Sequence, residues 1–195
     1  MGKRQLYIFD LGNVVLCHVD VVPAITTILA EKAGHFLNRY ETHMDELMTG
    51  AMSAERFWSL VAGDAQIEIT KDYLAECFEP VLDPAVLQVI DDLRASGARV
   101  VCGTNTYGSH YALLKDSETL THFDKVYASH IMGYAKPVRE FYTYIMEQEG
   151  YEPQDVFFTD DLQKNVSAAT NIGITAHQFI GAEPLRKVLG LPTLE

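Results

Sequence analysis

Hydrophobic positions along the chain follow two rhythms. The first is short unbroken apolar runs. Residues 6–9 are apolar throughout and read as a strand buried on both faces, and Gly12-Asn13 just after Asp10 marks its end. Similar runs over 98–103, 125–128, 155–159 and 174–179 predict four more strands. The second rhythm fills residues 21–83, where apolar side chains recur at helical spacing, as in Ile25, Ile28 and Leu29 or Phe57, Leu60 and Val61. Breaks at Gly34, Gly50, Gly63-Asp64 and Pro80 divide this block into four helices, with Ser53 placed to cap one of them. Beyond it, Pro84 opens a helix that runs to Ala95 and closes at Ser96-Gly97. Helices over 137–149, ended by Gly150, and over 163–171, closing at Gly173, separate the later strands, and the last ten residues read as a short helix and a frayed tail.

Strands alternating with helices imply an α/β fold, a doubly wound parallel sheet between helical layers, with a small helical cap inserted after the first strand. The expected division is a core of residues 1–16 and 84–195 and a cap of residues 17–83. In an open parallel sheet the strands' C-terminal ends share one rim, and that rim is where ligands bind. Here the rim collects Asp10, then Thr104-Asn105-Thr106, then Asp160-Asp161, with Lys136 just before Pro137 between the last two. Each has a plainer reading: Asp, Thr and Asn favour turns, an Asp pair caps helices, and lysine is a common surface cation. Their coincidence on one rim favours a site.

Composition narrows the partners. A chain of 195 residues with 48% hydrophobic content can bury one sizeable core plus an accessory module. A net charge of −12 argues against nucleic acid or an anionic membrane, and means that any anion must be held locally, by backbone N–H groups, a cation or a metal. Cys17, Cys77 and Cys102 have no metal-ligand spacing and fit reduced thiols. The N-terminus carries Lys3 and Arg4 without a long apolar stretch, and no segment approaches the ~20 apolar residues of a membrane span, so a cytoplasmic location is expected.

The ordered set Asp10, Thr104, Lys136-Pro137 and Thr159-Asp160-Asp161 with Asn165 resembles the four motifs of the haloacid dehalogenase superfamily, over nearly the whole chain. More narrowly, Phe9-Asp10-Leu11-Gly12-Asn13-Val14, Thr104-Asn105-Thr106 and Phe158-Thr159-Asp160-Asp161 are similar to the bacterial sugar-1-phosphate phosphatases, whose substrate type is glucose 1-phosphate, with the phosphatase domain of soluble epoxide hydrolases a neighbour. The resemblance implies a phosphatase acting on a small phosphorylated metabolite, with Asp10 as the nucleophile that forms an aspartyl-phosphate. It implies Mg²⁺ held by Asp10, the Gly12 carbonyl and Asp161, with Asp160 supporting the metal or orienting Lys136. Phosphoryl oxygens would be bound by the Thr104 hydroxyl, the N–H groups of Leu11 and Asn105, and Lys136.

One position departs from the commoner pattern. Most phosphatases of the superfamily carry a second Asp two residues after the nucleophile, as proton donor to the leaving alcohol; here Gly12 stands there, a glycine the sugar-1-phosphate subgroup shares. General acid help is worth roughly 10²–10⁴-fold, so a slow enzyme or a readily departing alcohol is expected. His18 and Asp20 lie near enough in sequence to replace it, and His110 is the histidine expected nearest the rim. Two alternatives remain: a metal-independent 2-haloacid dehalogenase, against which Asp161 argues, and a catalytically weak phospho-ligand-binding protein of the same fold.

Overall fold

A computed structural model describes residues 5–193; Lys3, Arg4 and the other terminal residues of the expected core lie outside the described residues. Strand β1 (Leu6–Phe9) leads through a short β2 (Leu16–Cys17) into helices α1 (Val22–Leu29), α2 (Ala33–Met48), α3 (Ala54–Ala65) and α4 (Tyr73–Glu76). The chain returns through β3 (Val81–Leu82), which pairs antiparallel with β2, so that departure and return form one two-stranded ribbon. Then follow α5 (Pro84–Ala95), β4 (Arg99–Thr104), α6 (Gly108–Leu114), α7 (Glu118–Thr121) and β5 (Lys125–Ala128). The chain closes with α8 (Ser129–Met132), α9 (Arg139–Glu149), β6 (Val156–Asp160), α10 (Gln163–Asn171), β7 (Thr175–Gln178) and α11 (Ala182–Leu189).

The main sheet has the order β5-β4-β1-β6-β7 and is parallel throughout. Its central strand β1 alternates between two cores. Leu6 and Ile8 pack with Phe141, Tyr142, Ile145 and Phe158 on the side of α9 and α10. Phe9 packs on the opposite side, in an apolar cluster that runs on into the inserted helices, where Phe36 stacks on Trp58 with ring centroids 5.7 Å apart. The two cores leave β1 no polar face, which is why its sequence is a continuous apolar run. Gly103 is required by this packing: a Cβ there would lie 2.8 Å from the Ile8 side chain.

Local signals set most boundaries. Ser53 accepts a hydrogen bond from the Arg56 N–H at the start of α3, and Asp83 caps α5 ahead of Pro84. Helix α9 begins two residues after Pro137, because Val138 keeps an extended backbone and serves as its N-cap. The C-terminal helix lies earlier than the last ten residues. Pro184 falls in the first turn of α11, where a missing N–H costs nothing, and so does not break it. Leu185 and Arg186 are buried, the latter 2.7 Å from Asp92.

Candidate active site

Phe9 lies beside Cys102 on one side and Thr159 on the other, so the residues after β1, β4 and β6 meet at the middle of the rim. Asp10 stands there, buried, its N–H donating to the Thr159 carbonyl at 3.0 Å. Its Oδ1 accepts from the Leu11 N–H at 2.7 Å and lies 2.6 Å from Lys136 Nζ. No described residue donates to Oδ2, which is therefore the oxygen free for chemistry. The loop that follows is folded around the Leu11 carbonyl, which accepts from Val14, Val15 and Leu16. Among the described residues no hydrogen bond uses the Gly12 carbonyl.

Lys136 is fixed from both ends. Asn105 and Lys136 form a reciprocal pair, Asn105 Nδ2 donating to the Lys136 carbonyl at 2.9 Å and the Lys136 N–H to Asn105 Oδ1 at 2.7 Å. The ammonium, buried, donates to the Gly103 carbonyl at 3.1 Å and to Asp160 Oδ2 at 2.8 Å. Burial opposes its charge, but Asp10 and Asp160 outweigh that and hold its pKa above the ordinary lysine value. Asp160 is fully buried, with Oδ1 accepting from the Leu162 N–H and Asn165 Nδ2, which fixes its carboxylate against the Lys136 ammonium.

Three carboxylates, Asp10, Asp160 and Asp161, bring oxygens within 4.8 Å of one another. Among the described residues one ammonium, that of Lys136, serves them, which leaves two negative charges uncompensated when all are ionised. Burial and the neighbouring Asp160 accordingly push the Asp10 carboxyl up to about 7, against the pull of Lys136 and the Leu11 N–H. Burial also raises Asp161, which takes a hydrogen bond from Asn13 Nδ2 at 3.2 Å. This donor set of hard oxygens suits a divalent cation such as Mg²⁺.

Asn13, which the sequence presents only as part of a turn, adopts φ 56°, a left-handed conformation that Asn tolerates better than most, and so reaches Asp161. Thr104 is buried at the end of β4 and lines a cavity together with Leu11, Gly12 and Asn105. His110 lines the same cavity; its Nε2 donates to the Leu74 carbonyl at 2.9 Å, and burial depresses its pKa to about 4. His18 and Asp20 are exposed and do not line the cavity, and Asp20 accepts from the Val22 N–H at the start of α1. Sequence reasoning passed over the far wall of the cavity, Val19, Tyr40, Met48 and Phe78, because helical spacing is the same for a residue that fills a core and one that lines a cavity.

A family profile for haloacid dehalogenase-like hydrolases matches residues 5–173. The chain is 26% identical over 188 residues to a D-ribitol-5-phosphate phosphatase of Bacteroides thetaiotaomicron, covering 88% of this chain and 89% of that protein. It is 24% identical over 173 residues to a sesquiterpene phosphatase of Aspergillus oryzae, covering 86% and 85%. At the same identity it matches the acyl-CoA dehydrogenase family member 10 of mouse, of which it spans only 14%. Its fold is that of a family enzyme of Bacteroides thetaiotaomicron solved with magnesium and inorganic phosphate, at a TM-score of 0.76 and 20% identity, over 90% of this chain and 94% of that one.

Proposed function

Because the chain belongs to the haloacid dehalogenase-like hydrolases, we propose that it is a Mg²⁺-dependent phosphatase that hydrolyses small phosphate monoesters, sugar phosphates such as glucose 1-phosphate among them. The observation that carries this reading is an acidic cluster that includes a buried carboxylate fit to be the nucleophile: Asp10, Asp160 and Asp161, with the ammonium of Lys136 against Asp10 and Asp160. Oxygens of Asp10, Asp160 and Asp161 gathered within 4.8 Å give a divalent cation a hard-oxygen site, which a metal-dependent phosphatase uses and a metal-independent 2-haloacid dehalogenase does not need. The D-ribitol-5-phosphate and sesquiterpene phosphatases among the relatives, and the magnesium and phosphate of the solved neighbour, support the same class.

Asp10 Oδ2 attacks phosphorus, the P–O bond to the alcohol breaks, and an aspartyl-phosphate forms at Asp10; water then displaces phosphate and restores the carboxylate. Lys136 stays charged between Asp10 and Asp160 and meets the phosphoryl oxygens with the Thr104 hydroxyl and the N–H groups of Leu11 and Asn105. Leu11 N–H is held by Asp10 Oδ1 until a phosphoryl oxygen takes it. Bound by Asp10, the Gly12 carbonyl and Asp161, Mg²⁺ would cancel charge between the carboxylates and the phosphate dianion. The helices over residues 17–83 act as a cap over the rim, joined to the core through the ribbon of β2 and β3.

The test is phosphate release from a panel of monoesters by the purified protein, with Mg²⁺ and with excess chelator, beside halide release from 2-haloacids. Phosphate release that needs Mg²⁺ is the expected result. Full turnover in chelator, or halide release alone, would remove the reading.

A further inference from the structure

The cavity beside the nucleophile loop is small, about 130 Å³, and sits between the rim residues Gly12, Thr104 and Asn105 and the inserted helices. Its volume is close to the roughly 150 Å³ of an engineered apolar protein cavity that takes up benzene. Leu16, Val19, Met48, Phe78 and Leu114 give it apolar walls, and no lysine, arginine, aspartate or glutamate among the described residues lines it.

Two of the polar side chains that line it, His110 and Asn105, are committed elsewhere. The imidazole of His110 donates to the Leu74 carbonyl and lies flat against Phe78, with ring centroids 3.7 Å apart. The Asn105 side chain is committed to the backbone of Lys136. The walls of Leu16, Val19, Met48, Phe78 and Leu114 offer a hexose no hydrogen-bond partner, and each hydroxyl stranded against them costs about 1–3 kcal/mol. A flat apolar ring would strand none and suits a wall that includes the aromatic pair Phe78 and His110.

Burial raises the pKa of Tyr40 and Tyr107, so the same walls hold only weak acids for a departing alcohol. Gly12 has no side chain, and His110 stays neutral because burial holds its pKa near 4. His18 and Asp20 are outside. An alcohol leaving from this cavity therefore departs as its anion, which a phenol does readily and an alkyl alcohol does not.

We propose that the cavity seats a single uncharged aromatic ring, so that the substrates this enzyme handles best are aryl phosphates. The assignment rests on the phosphatase reading above. In the step it describes, the Asp10 oxygen forms a bond to phosphorus while the phosphorus–oxygen bond to the ring breaks, its electron pair leaving with the phenolate, which then takes a proton from water. A second water converts the aspartyl-phosphate to inorganic phosphate.

Two measurements on the full chain with Mg²⁺ separate ring recognition from leaving-group reactivity. In turnover, kcat/KM for phenyl phosphate should exceed that for cyclohexyl phosphate and for glucose 1-phosphate by roughly 100-fold. In inhibition, where nothing leaves, phenylphosphonate should bind at least roughly tenfold more tightly than methylphosphonate, and Met48→Trp, which fills the cavity, should remove that difference. Glucose 1-phosphate turned over as well as phenyl phosphate would overturn the assignment, as would equal inhibition by the two phosphonates in the natural protein. Tighter binding of phenylphosphonate without phosphate release from any ester would instead overturn the phosphatase reading and leave the ring site standing.

Discussion

Replacing Lys136 by Met tests how the charge cluster is balanced. The ammonium has 1% of its side chain exposed and lies 2.6 Å from Asp10 and 2.8 Å from Asp160, so its removal leaves two buried carboxylates facing each other. Breaking a buried ion pair from one side costs about 3–5 kcal/mol, and a protein of this size loses roughly 2–4 °C of Tm per kcal/mol. At pH 8 the expected loss is therefore on the order of 6–20 °C. Asp160 keeps its two other donors, Leu162 N–H and Asn165 Nδ2, so relief must come from protonation of Asp10. In the natural protein the folded pKa of Asp10 is already about 7, above its unfolded value, and without Lys136 it moves higher still. For a carboxyl raised in this way, stability is present below the unfolded pKa and is lost as pH rises through the folded pKa. The deficit of Lys136→Met should thus be large at pH 8 and much smaller at pH 5. Thermal unfolding of both proteins in chelator at the two pH values measures it, and an equal deficit at both would refute the reasoning.

Three other outcomes follow from the same geometry. Gly12→Asp is sterically allowed, since Gly12 is not at positive φ and a Cβ would meet only the Val19 side chain at 3.4 Å; it should raise kcat/KM for alkyl phosphates toward the roughly 10²-fold worth of a general acid and flatten the dependence of rate on leaving-group pKa, and an unchanged dependence would place the missing proton elsewhere. Mg²⁺ bound at Asp10 as proposed competes with the proton there, so it should raise Tm more at pH 8 than at pH 5, and the reverse order in a thermal-shift titration would contradict the proposed ligands. His110 is buried neutral, so the protein should lose on the order of 3 kcal/mol as pH falls from 6.5 toward 4, and in His110→Phe that part of the acid-side slope should disappear from denaturant titrations.

The rim was legible because each buried strand is an apolar run that stops at a polar residue: Phe9 before Asp10, and Phe157-Phe158 before Thr159-Asp160. Parallel topology then brings those ends together without further information. The ribbon of β2 and β3 was not legible, since strands of two residues have no period. Short helices such as α6 and α8 also fall below the length at which helical spacing shows, and α11 was displaced because Pro184 reads as a break unless it is known to sit in a first turn. The reciprocal pair of Asn105 and Lys136 joins residues 31 positions apart, and only the fold reveals it. The cavity wall shares the apolar pattern of the core around it, so Tyr40 and Met48 cannot be told in sequence from Phe36 and Leu47, which are fully buried.

The central claim, that Asp10 is the nucleophile of a Mg²⁺-dependent phosphatase, is tested most directly by Asp10→Asn. The amide keeps the shape of the carboxylate and removes its attacking charge. With Mg²⁺ present and folding confirmed by circular dichroism, phosphate release from phenyl phosphate should vanish in the variant while the natural protein turns over. Release at the natural rate from folded Asp10→Asn would move the chemistry away from this residue and contradict the account.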